Sequence, residues 1–70
     1  MMPLSMANVG ETSCIRKITG RDEVRQHLSE LGFVVGEPVT VVSVLGGSMI
    51  LSVKDSRVAV DRTMATRILI

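Results

Sequence analysis

At 70 residues, with 8 Lys and Arg against 7 Asp and Glu, the chain is one small domain of formal net charge +1. That balance argues against a nucleic-acid binder, which usually carries a clear basic excess along one stripe. The single cysteine excludes an internal disulfide, and Cys14 and His27 alone are too few for a four-ligand zinc site.

Stability therefore rests on aliphatic packing, since chains of roughly 70–80 residues seldom build a core worth more than ~3–5 kcal/mol. Residues 1–8 have neither the basic region nor the apolar run of a signal peptide. No stretch approaches the ~20 apolar residues needed to span a bilayer. An unpaired thiol fits a reducing compartment, so the expected location is the cytoplasm.

In chain order, residues 3–10 read as an irregular lead-in closed by an Asn8-Val9-Gly10 turn. Residues 12–18 read as a first strand, with Cys14, Arg16 and Ile18 on one face and Ser13, Ile15 and Lys17 on the other. Thr19-Gly20-Arg21-Asp22 resembles a capping box, with Asp22 as the alternative N-cap. Val24, Leu28 and Leu31 then recur at i, i+4 and i+7, one apolar stripe of a short helix. Gly32 can end that helix in the left-handed conformation, which lets Phe33 touch Leu28 across the cap. Gly36-Glu37-Pro38 prevents any continuation, because proline lacks an N–H and restricts the residue before it.

Strands follow. Residues 39–45 alternate Val39, Val41, Ser43 and Leu45 against Thr40, Val42 and Val44, and Gly46-Gly47-Ser48 supplies a hairpin turn. Residues 49–54, a turn at Lys54-Asp55-Ser56 and residues 57–60 add two more strands. Asp61 suits the cap of a single 3₁₀ turn, and residues 67–70 form the last strand. The expected fold is mainly β: a small, closed, SH3-like five-stranded β-barrel, one domain over residues 1–70, with one α-helix inserted between its first two strands.

No catalytic constellation is present. Gly46-Gly47 lacks the Lys-Ser/Thr of a phosphate loop, and no Ser/His/Asp or Cys/His set has local support, so an enzyme is not expected. Glu23, His27 and Glu30 lie at i, i+4 and i+7 and offer O,N,O donors that suit a weakly held Fe²⁺, Mn²⁺ or Zn²⁺. The plainer account is a solvated helix face. Cys14 is expected to be a buried small hydrophobe, since strand geometry sends Lys17 to the opposite face. The elbow Phe33-Val34-Val35 and the methionines Met6, Met49 and Met64 are either core seals or an exposed partner patch, with Val34 the elbow residue expected to project outward.

Val9-Gly10-Glu11, the strand at residues 15–18, Leu28-Ser29-Glu30-Leu31-Gly32-Phe33, Val35-Gly36-Glu37-Pro38-Val39 and the closing run from Arg57 to Ile68 resemble the FeoA family of ferrous-iron transport accessory proteins. The leucine–glycine elbow followed by Gly-x-Pro is the most specific part. The resemblance implies an SH3-like barrel and a cytoplasmic, non-enzymatic protein that works with FeoB, the membrane GTPase that carries Fe²⁺, and so sits peripherally at the inner membrane. It also implies kinship with the C-terminal barrel of iron-dependent repressors, hence an alternative role as a transition-metal-ion-binding regulatory module. The adaptor account requires no cofactor, and the alternative implies a weakly bound divalent transition-metal ion.

The FeoB contact is expected on the outer helix face and elbow, with Phe33, Val34 and Met49 as apolar contacts and Arg25 and His27 at a polar rim. Proline-rich ligands are not expected, because the chain has no Tyr or Trp to line a groove for them. Nucleic acid would have to bind through Arg57, Arg62 and Arg67, which Asp55 and Asp61 offset.

Overall fold

The computed structural model describes residues 1–70. In chain order they form a 3₁₀ turn (Leu4–Met6), β1 (Thr12–Cys14), β2 (Lys17–Ile18), α1 (Asp22–Glu30), β3 (Pro38–Leu45), β4 (Ser48–Val53), β5 (Ser56–Asp61), α2 (Arg62–Ala65) and β6 (Ile68–Leu69). An antiparallel sheet of order β1-β3-β4-β5 packs with a second, two-stranded sheet of β2 and β6. The strands do not close into one continuous ladder, and the expected first strand is two.

A bend between Cys14 and Lys17 causes the split. The Ile15 N–H still donates to the Glu37 carbonyl at 2.9 Å, whereas the Arg16 N–H donates to the Leu69 carbonyl of the other sheet at 2.8 Å. Strict alternation fails across this bend: Ile15 is buried, Cys14 is exposed, and Ile18, three residues on, packs against the core. A second irregularity corrects the facing of β3. Its register against β4 shifts between Val41 and Ser43, a bulge with Val42 as the extra residue. Val44 therefore turns inward opposite buried Met49, while Leu45 is 64% exposed.

The helix carries the expected stripe, with Leu28 fully buried and Val24 and Leu31 packed at the margin of the core. Its start differs from expectation. Arg21 is the N-cap residue and no side chain caps it. Thr19 instead donates its hydroxyl to the Arg67 carbonyl at 3.2 Å, and Asp22 holds Arg25 at 2.6 Å. Acids at Asp22 and Glu23 still face the positive end of the helix dipole.

The lead-in is structural. Leu4 is buried, and Met2 and Ile70 exchange backbone hydrogen bonds of 3.0 and 2.8 Å, so the N-terminal segment lines the outer edge of β6. The turn after β5 is one α-helical turn, closed by the Thr66 N–H and hydroxyl on the Arg62 carbonyl at 3.0 and 2.8 Å; Asp61 precedes it without a side-chain cap. All 13 buried residues are hydrophobic, so burial of hydrocarbon rather than internal polar pairing holds the domain together.

The β4–β5 turn is strained. Lys54 and Asp55 both take positive φ, 49° and 65°, as a type I′ hairpin demands, although neither is glycine. Asp55→Gly should raise the stability by about 0.5–1 kcal/mol, read as a higher urea midpoint at unchanged slope.

Candidate functional site

Two glycines shape the elbow after α1. Gly32 adopts φ 107° and closes the helix with a paired motif: its N–H donates to the Ser29 carbonyl and the Phe33 N–H to the Leu28 carbonyl, both at 2.9 Å. The reversal sends the Phe33 side chain into the same core as Leu28, and both are fully buried. A tight turn follows, with the Glu37 N–H on the Val34 carbonyl at 3.1 Å and Gly36 at φ 94° in the position that requires it. The Gly36 N–H reaches the Ile15 carbonyl at 2.8 Å, which ties this turn to the bend in the first strand.

Between α1, the elbow and β2 this leaves a groove of about 670 Å³. Arg16, Lys17 and Ile18 form one wall, Asp22, Arg25, Gln26 and Ser29 the other, and Val34 and Val35 close the end over the buried Phe33. Arg25 is engaged with Asp22 at 2.6 Å, but both are largely exposed and the pair stabilises little. Arg16 and Lys17 make no ion pair.

Of the residues singled out in the sequence, Arg25, Val34 and Val35 line this groove. Phe33 and Met49 are corrected: both are wholly buried and offer no contact surface. Phe33 is driven inward by the Gly32 reversal, and Met49 sits across from Val60 and Val44 inside the sheet. The elbow residue that projects is Val35, 65% exposed, and Val34 is partly covered. His27 is exposed on the other flank of α1, where it borders a smaller cleft with Leu31, Val60 and Met64.

Glu23, His27 and Glu30 are exposed, and no three His, Cys, Asp or Glu side chains gather into a metal-holding group. Seven residues of helix separate Glu23 from Glu30 by about 10 Å of rise, too far to share an ion whose bonds are about 2 Å. Cys14 is exposed rather than buried, because the inward place goes to Ile15. Met6 is exposed and Met64 packs at the core margin. Arg57, Arg62 and Arg67 fall on β5, on α2 and just before β6, and Arg62 is spent on the Ser5 carbonyl at 3.3 Å.

Sequence reasoning missed Arg16 and Lys17, and within the elbow it expected Val34 rather than Val35 to project. Adjacent cations at the end of a strand were the available signal for the first two, but alternation assigned them to opposite faces.

The model of the FeoA domain matches residues 2–70. The chain belongs to the FeoA family. It is 31% identical over 70 residues to an Fe(2+) transport protein A of Methanocaldococcus jannaschii, with 100% of this chain and 85% of that one aligned. The zinc-complexed FeoA of Stenotrophomonas maltophilia, a prokaryotic SH3 domain protein, superposes with a TM-score of 0.84 at 28% identity, covering 99% of this chain and 88% of that one. A manganese-dependent transcriptional repressor superposes with a TM-score of 0.86 over 94% of this chain and 38% of its own, but at 14% identity this likeness concerns the fold alone. The FeoA domain is thus an SH3-like fold of ferrous-iron transport accessory proteins. None of its helices is long and apolar enough to cross a membrane.

A Cβ at position 36 would meet no atom within 4 Å, so Gly36→Ala tests backbone strain alone. It should cost about 1–2 kcal/mol in equilibrium urea unfolding.

Proposed function

We propose that this FeoA domain is a non-enzymatic adaptor in the cytoplasm that modulates ferrous-iron uptake by docking onto the cytoplasmic part of FeoB, and that the groove between α1 and β2 is the docking surface. Peripheral association with the inner membrane follows from that contact. Membership in an iron-transport accessory family supplies the context. The observation that carries the surface is the groove itself, an apolar end flanked by cations on a domain whose interior is hydrocarbon throughout. Recognition must therefore occur at the surface. The contact is small, so the complex is weak and reversible.

A second account, a transition-metal-responsive regulatory module, draws on the fold shared with the manganese-dependent repressor. It requires that stoichiometric Fe²⁺ or Mn²⁺ perturb specific resonances of the isolated domain.

Titration of the FeoB cytoplasmic domain into the isotopically labelled chain should shift Lys17, Ile18, Arg25, Val34 and Val35. Val35→Ser and Arg25→Glu should each weaken the complex by about fivefold or more, with stability changed by no more than about 0.5 kcal/mol because both side chains are exposed. Shifts confined to the opposite flank around His27 would reject the surface.

A further inference from the structure

We infer that the groove between α1 and β2 takes an extended, acidic segment of a partner protein, which adds as a strand to the free edge of β2; this rests on the docking reading and specifies the chemistry of its partner. Charge is the first observation. Of 8 cations and 7 carboxylates in the chain, the groove gathers three cations, Arg16, Lys17 and Arg25, against the single carboxylate Asp22. Arg16 and Lys17 have no partner of opposite charge. A nearly neutral chain thus concentrates positive charge beside the one apolar elbow that it exposes.

The backbone is the second. β2 pairs with β6 on one side, and β6 is flanked on its far side by the N-terminal segment, so β2 is the edge of this small sheet. Neither Lys17 nor Ile18 hydrogen-bonds through its backbone to α1 or to the elbow. An extended chain laid in the groove gains main-chain hydrogen bonds there, sets its carboxylates against the cations and places an apolar side chain on Val34 and Val35.

Other occupants fit less well. Single-stranded nucleic acid binds by stacking bases on exposed aromatics, and the one aromatic here, Phe33, is completely buried. A second copy of the chain has little to offer, because its only adjacent carboxylates, Asp22 and Glu23, are held in a helix.

The test uses the full chain and two synthetic peptides of about seven residues, one alternating Glu with Val and one alternating Lys with Val. By nuclear magnetic resonance titration the Glu peptide should shift Arg16, Lys17, Ile18 and Val35 and bind at least about tenfold more tightly than the Lys peptide. The double variant Arg16→Glu/Lys17→Glu, both sites exposed, should lose about tenfold while keeping the parent thermal midpoint; Arg57→Glu, outside the groove, should lose nothing. Equal binding of the two peptides, shifts elsewhere, or tighter binding of a short oligothymidylate in the same groove overturns the inference. Should the FeoB cytoplasmic domain bind the double variant as well as the parent, the inference fails and the docking reading stands. Should the Glu peptide bind in the groove of a chain that ignores FeoB, the docking reading fails and the inference stands.

Discussion

The elbow and the groove beside it are positioned by the chain reversal that ends α1. The left-handed backbone at Gly32 lets the Phe33 N–H satisfy the Leu28 carbonyl and, in the same movement, drives the largest buried side chain into the core. Burying a phenyl group of this kind stabilises by roughly 1.5–3 kcal/mol, a large share of what a chain of this size commands. The helix is thereby fixed against the sheet by hydrocarbon, and the next residues have no choice but to turn outward. Val35 is exposed because Phe33 is not.

The same lock connects the two sheets. Gly36 and Glu37 bracket Ile15 with hydrogen bonds of 2.8 and 2.9 Å, at the point where the first strand leaves one sheet for the other. The elbow, the bend and the helix are therefore one unit, and the groove between them is preformed rather than assembled on contact. A preformed surface loses less side-chain and loop freedom when it is occupied, which partly offsets the weakness of a small interface.

Much of this was legible in the residues. The helix stripe, the glycine stop and both hairpin turns follow from local rules that act over a few positions. The failures occur where local periodicity gives way to the packing of two small sheets on one core. A strand that must serve two sheets bends, which put Cys14 outside and Arg16 and Lys17 on one groove; a bulge at Val42 exchanged the facing of Val44 and Leu45. Leu4 went unrecognised because one leucine among small and polar neighbours carries no periodicity. Met49 and Phe33 were ambiguous for a different reason: apolar character alone does not say whether a side chain faces the core or a partner, and only the register and the reversal decide it.

The paired backbone groups of Met2 and Ile70 hold these two positions side by side, although they are far apart in sequence. A short linker joining these two positions and a new opening at the glycine pair Gly46-Gly47 would give a circularly permuted domain whose register at β6 is set by a covalent connection.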